Sequence, residues 1–308
     1  MKKVLITGGA GFIGSSLADK LIEKGYFVVL VDNLLTGFLH KLPSKELTNW
    51  RFIKCDVNNY NDIAPVMTSF SFDYVFHYAA LVGVKRTLEN PVKVLEDIQG
   101  IKNILDLSKN TGVKRVFFSS SSEVYGEPVV LPQNEYTTPL NSRLPYAVVK
   151  NVGEAFFRSY KQEYDLDYTI LRFFNTYGEK QSTDFVISKF IHAALEHKPI
   201  TIYGDGQQTR TFCYIDDNIT ATINALEQDL VLNDVVNIGN DKITTVLELA
   251  QIIIKVTNSN SQIVFLPPLP EGDMTRRQPD NAKMRTLLQR ELLPLEEGLK
   301  RVIANRQF

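Results

Sequence analysis

Between Lys3 and Asn33 the chain reads KVLITGGAGFIGSSLADKLIEKGYFVVLVDN, an order that few folds can use. A short β-rich run, Lys3 to Thr7, enters Gly8-Gly9-Ala10-Gly11-Phe12-Ile13-Gly14. A helical pattern follows from Ser15 to Lys24, then Gly25, then a second apolar run that ends in Asp32. Strand, glycine turn, helix and strand in that order predict a βαβ unit. Its glycines let the backbone approach a pyrophosphate, and its helix N-terminus points amide hydrogens and a positive partial charge at one. Asp32, 18 residues beyond Gly14, sits where a carboxylate accepts hydrogen bonds from an adenosine ribose. A carboxylate there repels a 2′-phosphate, so the expected cofactor is NAD rather than NADP.

The alternation continues along the chain. Trp50 to Cys55 reads as a strand ending at Asp56-Val57, where an acid can meet an adenine amino group, and Tyr74 to Ala80 reads as another. Pro91 to Asn110 has helical spacing closed by Thr111-Gly112. Val113 to Ser119 is a strand, Tyr146 to Tyr164 a helix and Asp167 to Phe174 a further strand. Strands alternating with helices predict a parallel, doubly wound α/β sheet, whose ligands sit beyond the carboxyl ends of the strands. His77, alone after a buried strand, reads as a hydrogen-bonded core residue rather than a ligand.

At 308 residues the chain exceeds one typical domain, so two lobes are expected. A net charge of −1 gives no reason to expect nucleic acid or an acidic membrane as partner. Cys55 and Cys213 make no disulfide framework and fit a reducing, cytoplasmic setting; no run reaches membrane-spanning length.

The stretch from Phe117 to Lys150 brings chemistry. A run of hydroxyls, Ser119 to Ser122, closes an apolar segment, Glu123 follows, and Tyr146-x-x-x-Lys150 opens a helical pattern. Four residues apart on a helix, Tyr146 and Lys150 share a face. A neighbouring ammonium favours phenolate over phenol, so the pair can make a base that works near neutral pH. Ser121 can share the proton that Tyr146 takes from a substrate hydroxyl. No metal is needed.

The glycine fingerprint, Ala79-Ala80, Ser121 and Tyr146-x-x-x-Lys150 occur in one order. Arg172-Phe-Phe-Asn175-Thr-Tyr-Gly178, the Ile202 to Asp216 segment containing Arg210, and Arg276-Arg277-Gln-Pro-Asp280 follow them. Together they resemble the extended short-chain dehydrogenase/reductase family, in its nucleotide-sugar epimerase, dehydratase and decarboxylase group, over essentially the whole chain. The resemblance implies a Rossmann sheet over residues 1–178, with a returning strand near 233–241. A smaller C-terminal α/β lobe over 179–308 would bind the nucleotide sugar. Gly8, Gly11 and Gly14, with Phe12 and Ile13 between them, would line the cofactor pyrophosphate. Asp32 and Asn33 would meet its ribose and Asp56-Val57 its adenine, with Ala79 and Ala80 beside it. Tyr146 would be the base, and Lys150 would hold both Tyr146 and the nicotinamide ribose. Asn175, Arg210, Arg277 and Asp280 would hold the substrate's nucleotide diphosphate, a task that suits the planar donor forks of two guanidiniums. Family members commonly dimerise through two helices per subunit, here Pro91 to Asn110 and Tyr146 to Tyr164, in a four-helix seam.

All branches of the group oxidise C4 of the sugar and part afterwards. Returning hydrogen to the other face gives a 4-epimer; loss of water from C5 and C6 makes a dehydratase; a C6 carboxylate can leave as carbon dioxide. Glu123 discriminates, since two positions after Ser121 it would share that residue's side of a straight strand and could work at C5 or C6. Ser-Ser-Glu-Val-Tyr-Gly is similar to the string in UDP-glucuronate decarboxylases and some 4,6-dehydratases. Against that, Ser122 stands where the best-known dehydratases carry aspartate, and Phe185 where a decarboxylase carries arginine. A glucuronate carboxylate would then need Lys85 or Arg86. The expectation is a UDP-hexose 4-epimerase, with dehydratase and decarboxylase as alternatives. A silent NAD-binding regulator is the remaining one, which loss of Tyr146 or Lys150 would have favoured; neither is lost.

Overall fold

The computed structural model describes residues 1–268 and 276–306, and the backbone alone at Val84 and Lys85. From the start of the chain strands and helices alternate: β1 (Lys3–Thr7), α1 (Phe12–Glu23), β2 (Phe27–Asp32), β3 (Trp50–Lys54), α2 (Tyr60–Phe70) and β4 (Tyr74–His77). Then come α3 (Val84–Glu89), α4 (Pro91–Leu95), α5 (Asp97–Thr111), β5 (Arg115–Ser121), α6 (Pro145–Tyr164) and β6 (Asp167–Phe173). Shorter elements follow: β7 (Thr176–Tyr177), α7 (Val186–Leu195), β8 (Ile200–Tyr203), β9 (Thr209–Thr211), β10 (Cys213–Tyr214) and α8 (Ile215–Glu227). The last are β11 (Asp234–Ile238), β12 (Ile243–Thr245), α9 (Val246–Thr257), β13 (Ile263–Leu266), α10 (Ala282–Leu288) and α11 (Leu295–Asn305).

Two compact units result. The first is Met1–Val124, Ser142–Arg172 and Thr222–Val236; the second is Tyr125–Asn141, Phe173–Ala221 and Asn237–Phe308. Seven strands in the order β11-β6-β5-β4-β1-β2-β3 make the central sheet. The pairs β1–β2, β2–β3, β1–β4 and β4–β5 are parallel, so this is the doubly wound Rossmann arrangement. Val4, Leu5, Ile6, Val28 to Val31, Val75, Phe76 and Val116 to Phe118 are buried, as strands covered on both faces require. Helix α6 lies close on β5 because position 153 is glycine: a Cβ there would stand 2.4 Å from Phe118 Cζ and 3.1 Å from Ile101 Cδ1. In the second unit β7 pairs with β10, β9 with β12 and β8 with β13. Thr245 caps α9 through a capping box with Glu248. Among the described residues no helix is long and apolar enough to cross a membrane.

Three local expectations are corrected. The strand expected from Tyr74 to Ala80 stops at His77, because the Tyr78 and Ala79 amides turn to Thr7 Oγ1, at 3.0 Å each. The single helix expected from Pro91 to Asn110 divides at Glu96, where Gln99 N–H bonds the Glu96 carbonyl three residues back. Beyond Ser121 the strand does not run straight. Ser122–Tyr125 is a 3₁₀ turn, pinned by the Glu123 amide donating to Ser121 Oγ at 3.1 Å, so alternation does not place Glu123.

Candidate functional site

The first unit carries the glycine turn. Gly8 has φ +67°, and a Cβ on Gly14 would fall 2.5 Å from the Gly8 carbonyl oxygen, so both positions require glycine. The Gly11 amide bonds that same carbonyl at 3.0 Å, and α1 starts at Phe12 with Ile13 and Gly14 in its first turn. No side chain caps that turn among the described residues. A cradle that a methyl group would fill, under a helix start with orphan amides, fits a pyrophosphate. The cofactor that the sequence implies therefore matches the residues present.

Asp32 ends β2 and is nearly buried. Its Oδ2 accepts from the Ala10 amide at 3.0 Å and its Oδ1 from the Leu34 amide at 2.8 Å. Burial pushes its carboxyl up, and those two amides oppose the shift. It thus ties the glycine turn to the loop after β2, and each oxygen keeps a lone pair for a sugar hydroxyl. Asn33 and Asp56, at the ends of β2 and β3, meet at 3.1 Å through Asn33 Nδ2. Asp56 Oδ1 also takes the Asn58 amide, while Val57 is buried beside it. Ala79 and Ala80 follow β4, and the Ala79 amide is anchored to Thr7.

The same unit carries the candidate base. Lys150, 3% exposed, donates from Nζ to Ser119 Oγ at 3.3 Å. The Nζ stands 5.6 Å from the centre of the half-buried Tyr146 ring and 5.0 Å from that of Phe118. Burial pulls the ammonium down to about 8, against a raising pull from Asp97. Ser119 donates in turn to the His77 carbonyl at 3.2 Å. Ser119 was not singled out from the sequence, although alternation along β5 puts it on the same face as Ser121. Ser121 and Ser122 are buried and Glu123 half-buried in the turn after β5. His77 stays structural. Thr7 Oγ1 already accepts two amides, so its proton goes to His77 Nδ1 at 2.9 Å, and burial, then Lys150, hold the ring neutral with a pKa of about 3.

Beneath the serines lies an ion cluster that sequence reasoning missed. Glu154, one turn beyond Lys150, accepts Arg172 Nε at 2.8 Å and Nη2 at 2.7 Å, and also Ser120 Oγ at 2.7 Å. It fixes α6 to β5 and β6. Arg86, on α3, folds back to the Val82 carbonyl at 2.7 Å, while the side chain of Lys85 lies outside the described residues.

The second unit carries the other candidates. Asn175 donates to the Thr211 carbonyl at 3.2 Å, which joins it to the strand that holds the buried Arg210. Asp280 accepts the Ala282 amide at 3.1 Å and Asn134 Nδ2 at 3.0 Å, and both lower its pKa. Its own amide bonds the Gln133 carbonyl at 2.8 Å, so the stretch with buried Arg277 is laid along residues 133 and 134.

Residues 4–239 match the model of the NAD dependent epimerase/dehydratase family. The chain is 36% identical over 311 residues to UDP-glucuronic acid decarboxylase 1 of Danio rerio, covering 98% of this chain and 72% of the relative. UDP-glucose 4-epimerase of Thermotoga maritima, solved with UDP-glucose, superposes with a TM-score of 0.92 at 34% identity, covering 98% of each chain. A mutant UDP-glucuronic acid 4-epimerase of Bacillus cereus, solved with UDP-4-deoxy-4-fluoro-glucuronic acid and NAD, superposes with a TM-score of 0.89 at 30% identity, again over 98% of each. Matched over more than half its length by that family model, and one third identical to such relatives nearly from end to end, the chain belongs to the NAD dependent epimerase/dehydratase family.

Proposed function

We propose that this NAD-dependent enzyme interconverts UDP-hexoses that differ in configuration at C4. NAD⁺, when bound, supplies the acceptor for the C4 hydrogen and the means of its return. Tyr146 takes the proton of the C4 hydroxyl with Ser121 sharing it, Lys150 holds the phenolate by its charge, and the phenol gives the proton back after the sugar has turned. The observation that carries the reading is the Lys150 ammonium, buried beside Tyr146 with its Nζ 5.6 Å from the ring and its pKa drawn to about 8. A cation so placed stabilises phenolate and makes the base available near neutral pH. Epimerisation asks for no further acid or base.

In this reading residues 1–178, with the strand near 233–241, bind NAD through Gly8, Gly11, Phe12, Ile13, Gly14, Asp32, Asn33, Asp56, Val57, Ala79 and Ala80. Residues 179–308 bind the UDP-sugar through Arg210, Arg277 and Asp280, joined by Asn175 from just before that stretch. Val152, Phe156, Tyr160 and Tyr164 line one hollow of α6, which supports a homodimer built on α5 and α6 in a four-helix bundle. A cytoplasmic enzyme with buried free thiols at Cys55 and Cys213 is consistent with this.

A second reading rests on Glu123, a half-buried carboxylate in the turn that follows Ser121. With Arg86 or Lys85 holding a uronate, it suits removal of carbon dioxide from the 4-keto sugar, and the fish relative is named for such a reaction. Incubation with a panel of UDP-sugars, read by mass spectrometry and NMR, separates the two. An unchanged mass with inverted C4 supports the epimerase, loss of carbon dioxide the decarboxylase and loss of water a dehydratase. Tyr146→Phe is expected to abolish every one of these conversions while NAD still binds; undiminished turnover would reject its role.

A further inference from the structure

Lys150 poses a problem of charge. Its ammonium is buried, and among the described residues its one hydrogen-bond partner is the neutral hydroxyl of Ser119. A buried cation with no counter-charge gives up its proton. The groups that face it are Tyr146 and Phe118, the neutral His77 and, from α5, Asp97.

The helix packing places Asp97. Ile101 Cδ1 of α5 lies against Gly153 of α6, 3.1 Å from where a Cβ would stand. Both helices follow strands of one parallel sheet and so run the same way. One turn back from that contact are Asp97 on α5 and Lys150 on α6, on the helix faces that meet, where their charges act on each other from beyond ion-pair distance. The Asp97 carboxylate is held there: Oδ2 accepts the Leu81 amide at 2.8 Å and Oδ1 accepts Asn58 Nδ2 at 3.2 Å. Burial pushes its carboxyl up; the Leu81 amide, Asn58 and then Lys150 pull it down, while Asp56 pushes it up.

We propose that Asp97 is the counter-charge of the Lys150 ammonium, a positioning residue that keeps the lysine protonated and so keeps Tyr146 phenolate favoured. This rests on the roles given above to Tyr146 and Lys150. Without Asp97, the first proton to leave the pair comes from Lys150 instead of Tyr146, and the tyrosine then ionises beside a neutral amine.

The test is an ultraviolet titration of tyrosinate in the NAD-loaded enzyme, with the same protein carrying Tyr146→Phe as the blank. Asp97→Asn, which keeps the size of the side chain, should move the Tyr146 midpoint upward by about one pH unit, and the acid limb of turnover should move with it. A midpoint that stays or falls overturns the proposal. Asp97→Glu restores the charge at the cost of the fit, so its midpoint should return towards that of the parent. A glutamate variant displaced as far as the asparagine one also overturns it, and leaves Asp97 as a clamp for Leu81 and Asn58. Failure of the underlying reading looks different: Tyr146→Phe would then turn over normally, whatever Asp97 does.

Discussion

Glu154→Gln is the sharpest test of how the helix carrying Tyr146 and Lys150 is held. Glu154 is 0% exposed, and Arg172, which donates to both of its oxygens, is 1% exposed. Glutamine keeps the shape and one acceptor, but leaves a buried guanidinium without its counter-charge and turns N–H donors towards it. Breaking one side of a buried pair costs about 3–5 kcal/mol, and the retained acceptor puts this variant near the lower end. Arg158 gives an internal scale: its side chain is 45% exposed and it meets the same carboxylate at 3.0 Å. Arg158→Ala should therefore cost only about 0–1 kcal/mol. Equilibrium urea unfolding of the NAD-saturated protein at neutral pH measures both. If the two variants fall within about 1 kcal/mol of each other, the cluster is not the anchor described.

The same carboxyl gives a pH arm with a defined sign. Burial pushes Glu154 up, and the Arg172 fork, then Ser120 and Arg158, more than reverse it, leaving the folded pKa below the usual range. A depressed folded pKa contributes its full stabilisation above the unfolded value, about 4.3. That contribution is lost as pH falls through the folded value. The stability gap between parent and Glu154→Gln should accordingly shrink in acid and be widest near neutral pH.

Gly14→Ala sets a Cβ 2.5 Å from the Gly8 carbonyl oxygen, so the turn must move; calorimetry should show NAD binding weakened by about tenfold or more, close to 1.4 kcal/mol. Turnover should decline as pH rises through about 8, where the Lys150 ammonium loses its proton, and a profile that stays flat well above that value would contradict the role of the charge. Glu123→Gln should leave C4 inversion largely intact while stopping any release of carbon dioxide or water, both read in the same UDP-sugar panel.

What the sequence exposes is what short spacing fixes. Gly8 to Gly14, Asp32 at a strand end and Tyr146 four places before Lys150 each declare themselves because a turn of helix or a step of strand sets their geometry. Asp97, Ser119 and Glu154 were not legible in that way. Ser119 meets Lys150 across 31 positions and Ser120 meets Glu154 across 34, contacts that exist only once α6 has docked on β5. Glu123 misled for a related reason: strand alternation held to Ser121, and a serine hydroxyl taking the Glu123 amide then bent the chain. The strand through Tyr74 stopped early for the same kind of cause, a threonine 71 positions before Tyr78 collecting its amide.

The central sheet ends in β11, whose neighbour β6 was made long before it along the chain. During synthesis the backbone N–H and C=O groups on that side of β6 therefore stay bare until the 60 residues between β6 and β11 have followed them out of the ribosome. A bare strand edge templates wrong pairing, so the nascent Rossmann half is adhesive for just that interval. A fragment cut near residue 178 would keep the liability for good, a trap that the order of the chain sets for anyone who tries to isolate the Rossmann sheet.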